Sequence, residues 1–113
     1  MRRSILILAL VTACSKGPEQ DLQYIKQARS LAAEWALVND RYARGDLTRT
    51  YVDSMHYWLA EDIRTASSAL TRPDEPYARE IRALMSEPPN ASPERLRAHA
   101  DALRTFESSL ESD

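Results

Sequence analysis

Apolar residues recur at helical spacing over two long segments, residues 20–43 and 47–70, which only three residues separate. At about 100° per residue, each segment gathers its apolar side chains on one broad face. Two long helices of matched length, joined by so short a turn, predict an antiparallel αα-hairpin. The first face holds Tyr24, Ile25, Ala28, Leu31, Ala32, Trp35, Val38 and Tyr42, and the second holds Leu47, Tyr51, Val52, Met55, Trp58, Leu59, Ile63, Ala66 and Leu70.

Turn and cap residues mark the ends of these helices and predict two more. Gly45 suits the left-handed residue that ends the first helix, and Asp46 suits the N-cap of the second. A proline-rich segment then ends the second helix and begins a short third one over residues 75–86, with Asp74 as its predicted N-cap. Ser92 and Pro93 are typical of a helix start, and the fourth helix runs to about residue 110.

No segment alternates between apolar and polar residues for long enough to predict a β-strand. The sequence therefore predicts an all-α fold. Its expected form is a small four-helix up-down bundle built on the long αα-hairpin, with third and fourth helices shorter than the first two.

The first 14 residues follow a different pattern. Arg2 and Arg3 precede an apolar run at residues 5–11, and the small residues Thr12 and Ala13 come directly before Cys14, the only cysteine. Seven apolar residues are far fewer than the roughly 20 that a transmembrane helix needs. A positive start, a short apolar run and small residues before a cut site are typical of a secretory signal peptide.

The tetrapeptide at residues 11–14, Val-Thr-Ala-Cys, resembles the lipobox of bacterial lipoproteins. This resemblance covers residues 2–14 and implies that residues 1–13 are a signal peptide, removed before Cys14. It also implies a diacylglyceryl thioether on the Cys14 thiol and an acyl chain, such as palmitate, on its amine. Two or three acyl chains on one residue give stable anchoring. Ser15 is not the aspartate that retains lipoproteins in the inner membrane, so the resemblance favours the outer membrane, facing the periplasm.

The rest of the chain is expected to form a polar tether at residues 14–19 and one helical domain at residues 20–113. Removing Arg2 and Arg3 from 15 basic residues leaves 13, against 17 acidic ones, for a formal net charge of −4. A mildly acidic chain argues against nucleic acid as a partner. The oligomeric state stays open.

Two polar residues interrupt the apolar faces of the hairpin. Asp62 falls among apolar neighbours on the second helix, so we expect it to be buried and paired with Arg29 or with an arginine of the later helices. Asn39 is predicted to face Tyr51 across the hairpin and to bond to it. A functional role for Asp62 is the less favoured interpretation.

His56 and His99 are the only histidines, and both could point inward on parallel helices. Together with Asp62 they allow an alternative function, a helical bundle that binds haem, a metal ion or a small ligand. The chain lacks the paired Glu-x-x-His motifs of di-metal bundles, so we expect no cofactor beyond the lipid. The favoured interpretation is that both histidines are structural.

Enzymatic chemistry is not expected. The sequence has no Gly-x-Ser-x-Gly motif, no thiol beyond the one assigned to lipid, and too few glycines for a phosphate-binding loop. Tyr57 lies off the apolar arc of its helix, and an exposed tyrosine is a favoured anchor for a protein partner. The other large rings are expected to be absorbed by the core. These are Trp35, Trp58, Tyr24, Tyr42, Tyr51 and Tyr77.

These observations predict a lipid-anchored lipoprotein of the bacterial cell envelope. Its membrane contact is the acylated Cys14, and its helical domain is expected to bind another envelope protein as a scaffold or as an inhibitor, in the manner of immunity or exclusion proteins.

Overall fold

The computed structural model describes residues 17–112, which contain no β-strand. One turn of 3₁₀-helix at Pro18–Asp21 leads into four α-helices. The all-α prediction is confirmed, and each helix begins and ends within two residues of its predicted bounds. The α-helices are α1 (Leu22–Ala43), α2 (Arg49–Ala69), α3 (Pro76–Met85) and α4 (Pro93–Glu111).

The predicted signal peptide and the first three tether residues, 14–16, lie outside the described residues. Pro18 and Glu19, which belong to the predicted tether, form part of the 3₁₀ turn. None of the helices within residues 17–112 combines the length and the apolarity needed to cross a membrane.

The connection between α1 and α2 is fixed by Gly45, which has a φ of 80° as the sequence predicts. The amides of Gly45 and Asp46 donate to the carbonyls of Tyr42 and Arg41, so the last turn of α1 ends in a Schellman motif. The predicted N-cap is wrong, because Thr48 accepts the capping bond from the amide of Tyr51 at 3.2 Å. Asp46 instead lies 3.7 Å from the guanidinium of Arg41.

The starts of α3 and α4 both place proline at the first helical position. Ser92 caps α4 as predicted, accepting from the amide of Arg95 at 3.2 Å. The N-cap of α3 is Glu75 and not Asp74. The residue before a proline is pushed to extended dihedrals, and Glu75 has them, so Pro76 itself determines where the helix begins.

The core lies between α1 and the other three helices, and α1 packs most extensively against α4 and then against α2. The α1 stripe alternates alanine with larger side chains, which lets neighbouring helices approach closely. Ion pairs of Lys26 with Glu111 and of Arg29 with Glu107 join the start of α1 to the end of α4, so these helices run antiparallel. The largest fully buried apolar side chains are Ile25, Val52, Ile63, Ile81, Leu84, Leu96 and Leu103.

Helix α2 is rotated relative to its predicted orientation. Its buried residues are Val52, Leu59, Ile63 and Ala66, whereas Trp58 is 58% exposed and Tyr51 is 49% exposed. Because α2 packs mainly on α1 and on the short α3, its buried stripe is narrow. The prediction that the core absorbs Trp58 and Tyr51 is therefore wrong, as it is for Tyr42, which is 40% exposed. Trp35 and Tyr77 are buried as expected.

Candidate functional site

Asp62 lies on the exposed side of α2. Its predicted partner, Arg29, is bonded to Glu107 of α4 at 2.6 Å. The predicted buried ion pair is therefore wrong. The reason is the rotation of α2, which turns the side of the helix that carries Asp62 and Trp58 towards solvent.

The two histidines have separate hydrogen-bond partners. His99 of α4 lies between two carboxylates, with Nδ1 2.6 Å from Glu80 and Nε2 2.7 Å from Glu87. A carboxylate oxygen accepts from whichever ring nitrogen carries a proton, so both sides of the ring have a partner. The bond from His99, helped by Arg95 at 3.0 Å, outweighs burial and lowers the pKa of Glu87 below its usual range. This cluster fastens α3 and its following loop to α4.

His56 belongs to a second polar cluster, which is centred on the buried Asn39. The Asn39 side-chain amide donates to the carbonyls of Pro89 at 3.0 Å and Ala91 at 2.8 Å. The indole of Trp35 donates to the same Pro89 carbonyl at 2.9 Å. The prolines of the loop between α3 and α4 have no N–H to donate. The loop is therefore held through its carbonyls, which accept hydrogen bonds from side chains of α1. The predicted bond between Asn39 and Tyr51 is wrong, because Asn39 faces this loop.

The orientation of the Asn39 amide fixes the protonation pattern of His56. Because the Asn39 nitrogen donates to two carbonyls, its oxygen is the acceptor that faces His56 Nε2 at 2.7 Å. Nε2 therefore carries the hydrogen, and in the neutral ring Nδ1 is an acceptor. Burial lowers the pKa of His56, with the nearby charge of Asp53 opposing it. No group of residues 17–112 bonds to Nδ1.

His56 forms part of the wall of an open cleft with a volume of about 500 Å³, between the end of α1, the start of α2 and the loop before α4. This volume is within the range of small-molecule sites. Most of the wall is apolar, and Arg49 and Asp53 line it together with His56. A smaller cavity of about 90 Å³ adjoins it and shares His56 and Pro89. The apolar wall consists of Tyr42, Ala43, Val52, Pro89, Ala91 and Pro93.

At the other end of the domain lies a carboxylate that the sequence interpretation missed. Asp21 is 0% exposed. It accepts hydrogen bonds from the Tyr77 hydroxyl at 2.6 Å, from the Thr71 hydroxyl and amide at 2.8 and 2.9 Å, and from the Arg72 amide at 3.2 Å. Burial alone would raise the pKa of Asp21, but these bonds together lower it. Burial and the bond to Asp21 also raise the pKa of Tyr77.

A sequence signal for Asp21 did exist. It lies four residues before Ile25 and seven before Ala28, which places it on the buried stripe of α1. An aspartate directly before a helix is usually a solvated N-cap. That usual interpretation makes it easy to overlook that Asp21 lies on the buried stripe. For Arg49 and Asp53 of the cleft, the only signal is that they precede His56 at intervals of about one helical turn on the same side of α2.

The third feature is an exposed aromatic pair. Tyr57 is 60% exposed, which confirms its predicted position off the buried arc. Its ring meets the ring of Trp58 edge to face, with centroids 5.2 Å apart. We call Tyr51, Tyr57 and Trp58 the aromatic flank of α2.

No protein-family profile, curated protein or solved structure matches this chain. Within residues 17–112, no group of three or more His, Cys, Asp or Glu side chains is arranged to hold a metal ion. His56, His99 and Asp62 do not form one site, since each lies in a different environment. Two surface features of the described residues lie outside the core: the polar-edged cleft and the aromatic flank.

Proposed function

We propose that this chain is a lipid-anchored lipoprotein of the bacterial envelope whose helical domain binds another protein and has no enzymatic activity. The domain is then an up-down bundle of four helices, tethered through an acylated Cys14 to a membrane, preferably the outer membrane facing the periplasm. The antiparallel ion pairs between α1 and α4 are consistent with that arrangement.

The observation that carries the binding proposal is the aromatic flank. Trp58 is 58% exposed and Tyr57 is 60% exposed, although the chain has only eight aromatic residues of the Phe, Trp and Tyr types with which to build a core. Trp and Tyr are the side chains most enriched at binding hot spots, because a large ring gains much contact area at little conformational cost. Anchoring would raise the local concentration of this flank for partners at the same membrane.

A short tether would hold the flank close to the membrane. Three residues separate Cys14 from Pro18, where the helical structure of the domain begins. Even fully extended, the chain reaches only about 3.5 Å per residue, so the start of the domain would stay near the membrane surface. Scaffolding and inhibition both fit this geometry.

The anchor is tested by Cys14→Ser in the full chain. We expect the variant to leave the membrane fraction and to lose labelling by a palmitate analogue, while the wild type retains both. Unchanged labelling of Cys14→Ser would refute lipidation at this residue.

The binding proposal is tested by photo-crosslinking from position 57 in intact envelopes, followed by mass spectrometry. We expect one protein to be crosslinked reproducibly, and Trp58→Ala to abolish that crosslink. Leu37→Ala is the matched control, since Leu37 is 53% exposed on α1 and lies outside the flank. A crosslink that survives Trp58→Ala, or that Leu37→Ala removes equally, contradicts the assignment of the flank.

A further inference from the structure

The cleft beside His56 has the features of a small-molecule site, and it is separate from the aromatic flank. Its volume of about 500 Å³ is large for one end of so small a domain. Three different segments build its wall, so its shape depends on the fold and not on one flexible side chain. The apolar part of the wall favours a ligand whose body is a ring or a branched chain.

One hydrogen-bonding group of the cleft is positioned in advance. Asn39 is buried, and its three hydrogen bonds hold the His56 ring with Nε2 towards α1. Nδ1 has no bonding partner within residues 17–112, and the ring lines the cleft. A preorganised acceptor of this kind loses little entropy on binding, and it selects ligands that carry an O–H or N–H donor.

The charged groups of the cleft follow α2 in a fixed order. Arg49, Asp53 and His56 succeed one another at intervals of about one turn, and about 10 Å of helix axis separates the first from the last. The Arg49 guanidinium has no ion-pair partner among the described residues, so it is available to a carboxylate. Asp53, next to His56, repels a carboxylate and attracts a donor. The ligand's acidic end is thereby directed to Arg49 and its donor end to His56.

We propose that this cleft binds a small amphipathic carboxylic acid that carries a hydroxyl or amino group at its opposite end. The carboxylate pairs with Arg49, the donor bonds to His56 Nδ1, and the apolar body packs against Val52, Pro89 and Pro93. This site is independent of the protein-binding flank and is a function beyond the one proposed above.

The test is an NMR titration of the full, ¹⁵N-labelled chain in detergent with para-hydroxyphenylpropionate, which has a carboxylate, an aromatic ring and a distal hydroxyl. The reporters are the Asn39 side-chain amide and the His56 Nε2–H. We expect saturable shifts at both. Phenylpropionate, which lacks the hydroxyl, and tyramine, which lacks the carboxylate, should each bind about tenfold more weakly, because a charge-assisted or buried hydrogen bond is lost.

Matched variants separate the site from general effects on the fold or on partition into detergent. Arg49→Gln should weaken para-hydroxyphenylpropionate about tenfold but should not weaken tyramine, whose ammonium the guanidinium repels. Arg104→Gln is the control, since Arg104 is an exposed arginine of α4 that does not line the cleft. The proposal is overturned if the reporters show no saturable shift, if the three probes bind alike, or if Arg104→Gln and Arg49→Gln weaken binding equally.

Discussion

The two ends of the bundle each hold a polar residue inside an apolar stripe. They differ in whether the hydrogen bonds around that residue are all made within the chain. At the end near Gly17, Asp21 is fully buried, and its carboxylate accepts four hydrogen bonds. At the far end, Asn39 bonds to two loop carbonyls and to His56, but His56 lines a cleft of about 500 Å³, and its Nδ1 has no bonding partner within residues 17–112.

The difference separates a saturated polar site from one that has a free hydrogen-bonding position. A buried group whose bonding capacity is saturated by its own chain has nothing to offer a ligand. A group that is held in place by one bond and left open at another is both oriented and available. Asp21 is saturated in this way, and both ring nitrogens of His99 face carboxylates, whereas His56 has the open nitrogen on which our ligand proposal rests.

The largest effect is expected from Asp21→Ala. This change leaves the buried Tyr77 hydroxyl without an acceptor and removes the bonds that hold Thr71 and Arg72, and we expect it to lower the free energy of unfolding by about 3 kcal/mol. Urea denaturation followed by circular dichroism measures it. Asp62→Asn, at an exposed aspartate, is the control and should stay close to the wild type. Equal effects of the two variants would mean that the Asp21 network does not hold this end together.

Asn39→Ala should cost about 2 kcal/mol, because the Ala91 carbonyl loses its donor, the Pro89 carbonyl keeps only the Trp35 indole, and His56 loses its partner. The matched control is Asn90→Ala, an exposed asparagine of the same loop. If Asn39→Ala proves as mild as Asn90→Ala, the loop is held by other contacts and the orientation of His56 is not set by Asn39.

The two ends should also titrate in different pH windows. His56 has a pKa below the ordinary 6.5, so the unfolded chain takes up its proton first and stability declines as the pH falls below about 6.5. Asp21 has a pKa below 3.8, so its contribution is present above that value and is lost as the pH falls through the folded-state pKa. Each slope is at most about 1.4 kcal/mol per pH unit for one proton.

These windows are measured as the free energy of unfolding against pH. His56→Gln should remove the loss of stability that begins near neutral pH and should not change the loss at acidic pH. Asp21→Asn should reduce the loss at acidic pH and should not change the one near neutral pH. Each variant serves as the control of the other. If both variants change the stability in the same pH range and by the same amount, the two ends do not titrate separately.

The smallest effect on stability is expected from Trp58→Phe on the aromatic flank, which belongs to neither end. We expect a change within about 0.5 kcal/mol, as for most surface substitutions. The emission that remains should come from Trp35, which is 6% exposed, and it should be blue-shifted and resistant to acrylamide. Remaining emission that acrylamide quenches readily would mean that Trp35 is not packed as described.

The sequence predicts those features of the fold that depend on local chemistry. Gly45 can take a left-handed conformation without steric cost, and Ser92 and Pro93 together favour a helix start, so these predictions are correct. Asp46 and Asp74 are equally plausible caps by residue type, and each is displaced because a neighbour has the better geometry. Caps chosen among adjacent candidates depend on backbone dihedrals, which residue type alone does not determine.

The candidate site depends on long-range packing, and the predictions for the surroundings of Asp62, Trp58 and Asn39 were wrong. A helical wheel shows that Trp58, Asp62 and His56 share the margins of one arc, but not which margin the neighbouring helices cover. The short α3 covers only part of α2, and this decides that Asp62 and Trp58 are exposed while His56 lies at the cleft. The contact of Asn39 with the loop before α4 joins residues about 50 positions apart, as its bond to Pro89 shows, and no periodicity encodes such a pair.

The position of Asp21 also has a mechanical consequence. Under the proposed tether at Cys14 and the proposed partner, a pulling force would enter the domain at Gly17, four residues before Asp21. Chain ends that are not fastened fray first. Here the bonds of Asp21 to Thr71, Arg72 and Tyr77 share the load among α1, the connection after α2, and α3. Because one carboxylate joins three segments, we expect this end of the domain to resist fraying and to pass tension on to the other helices.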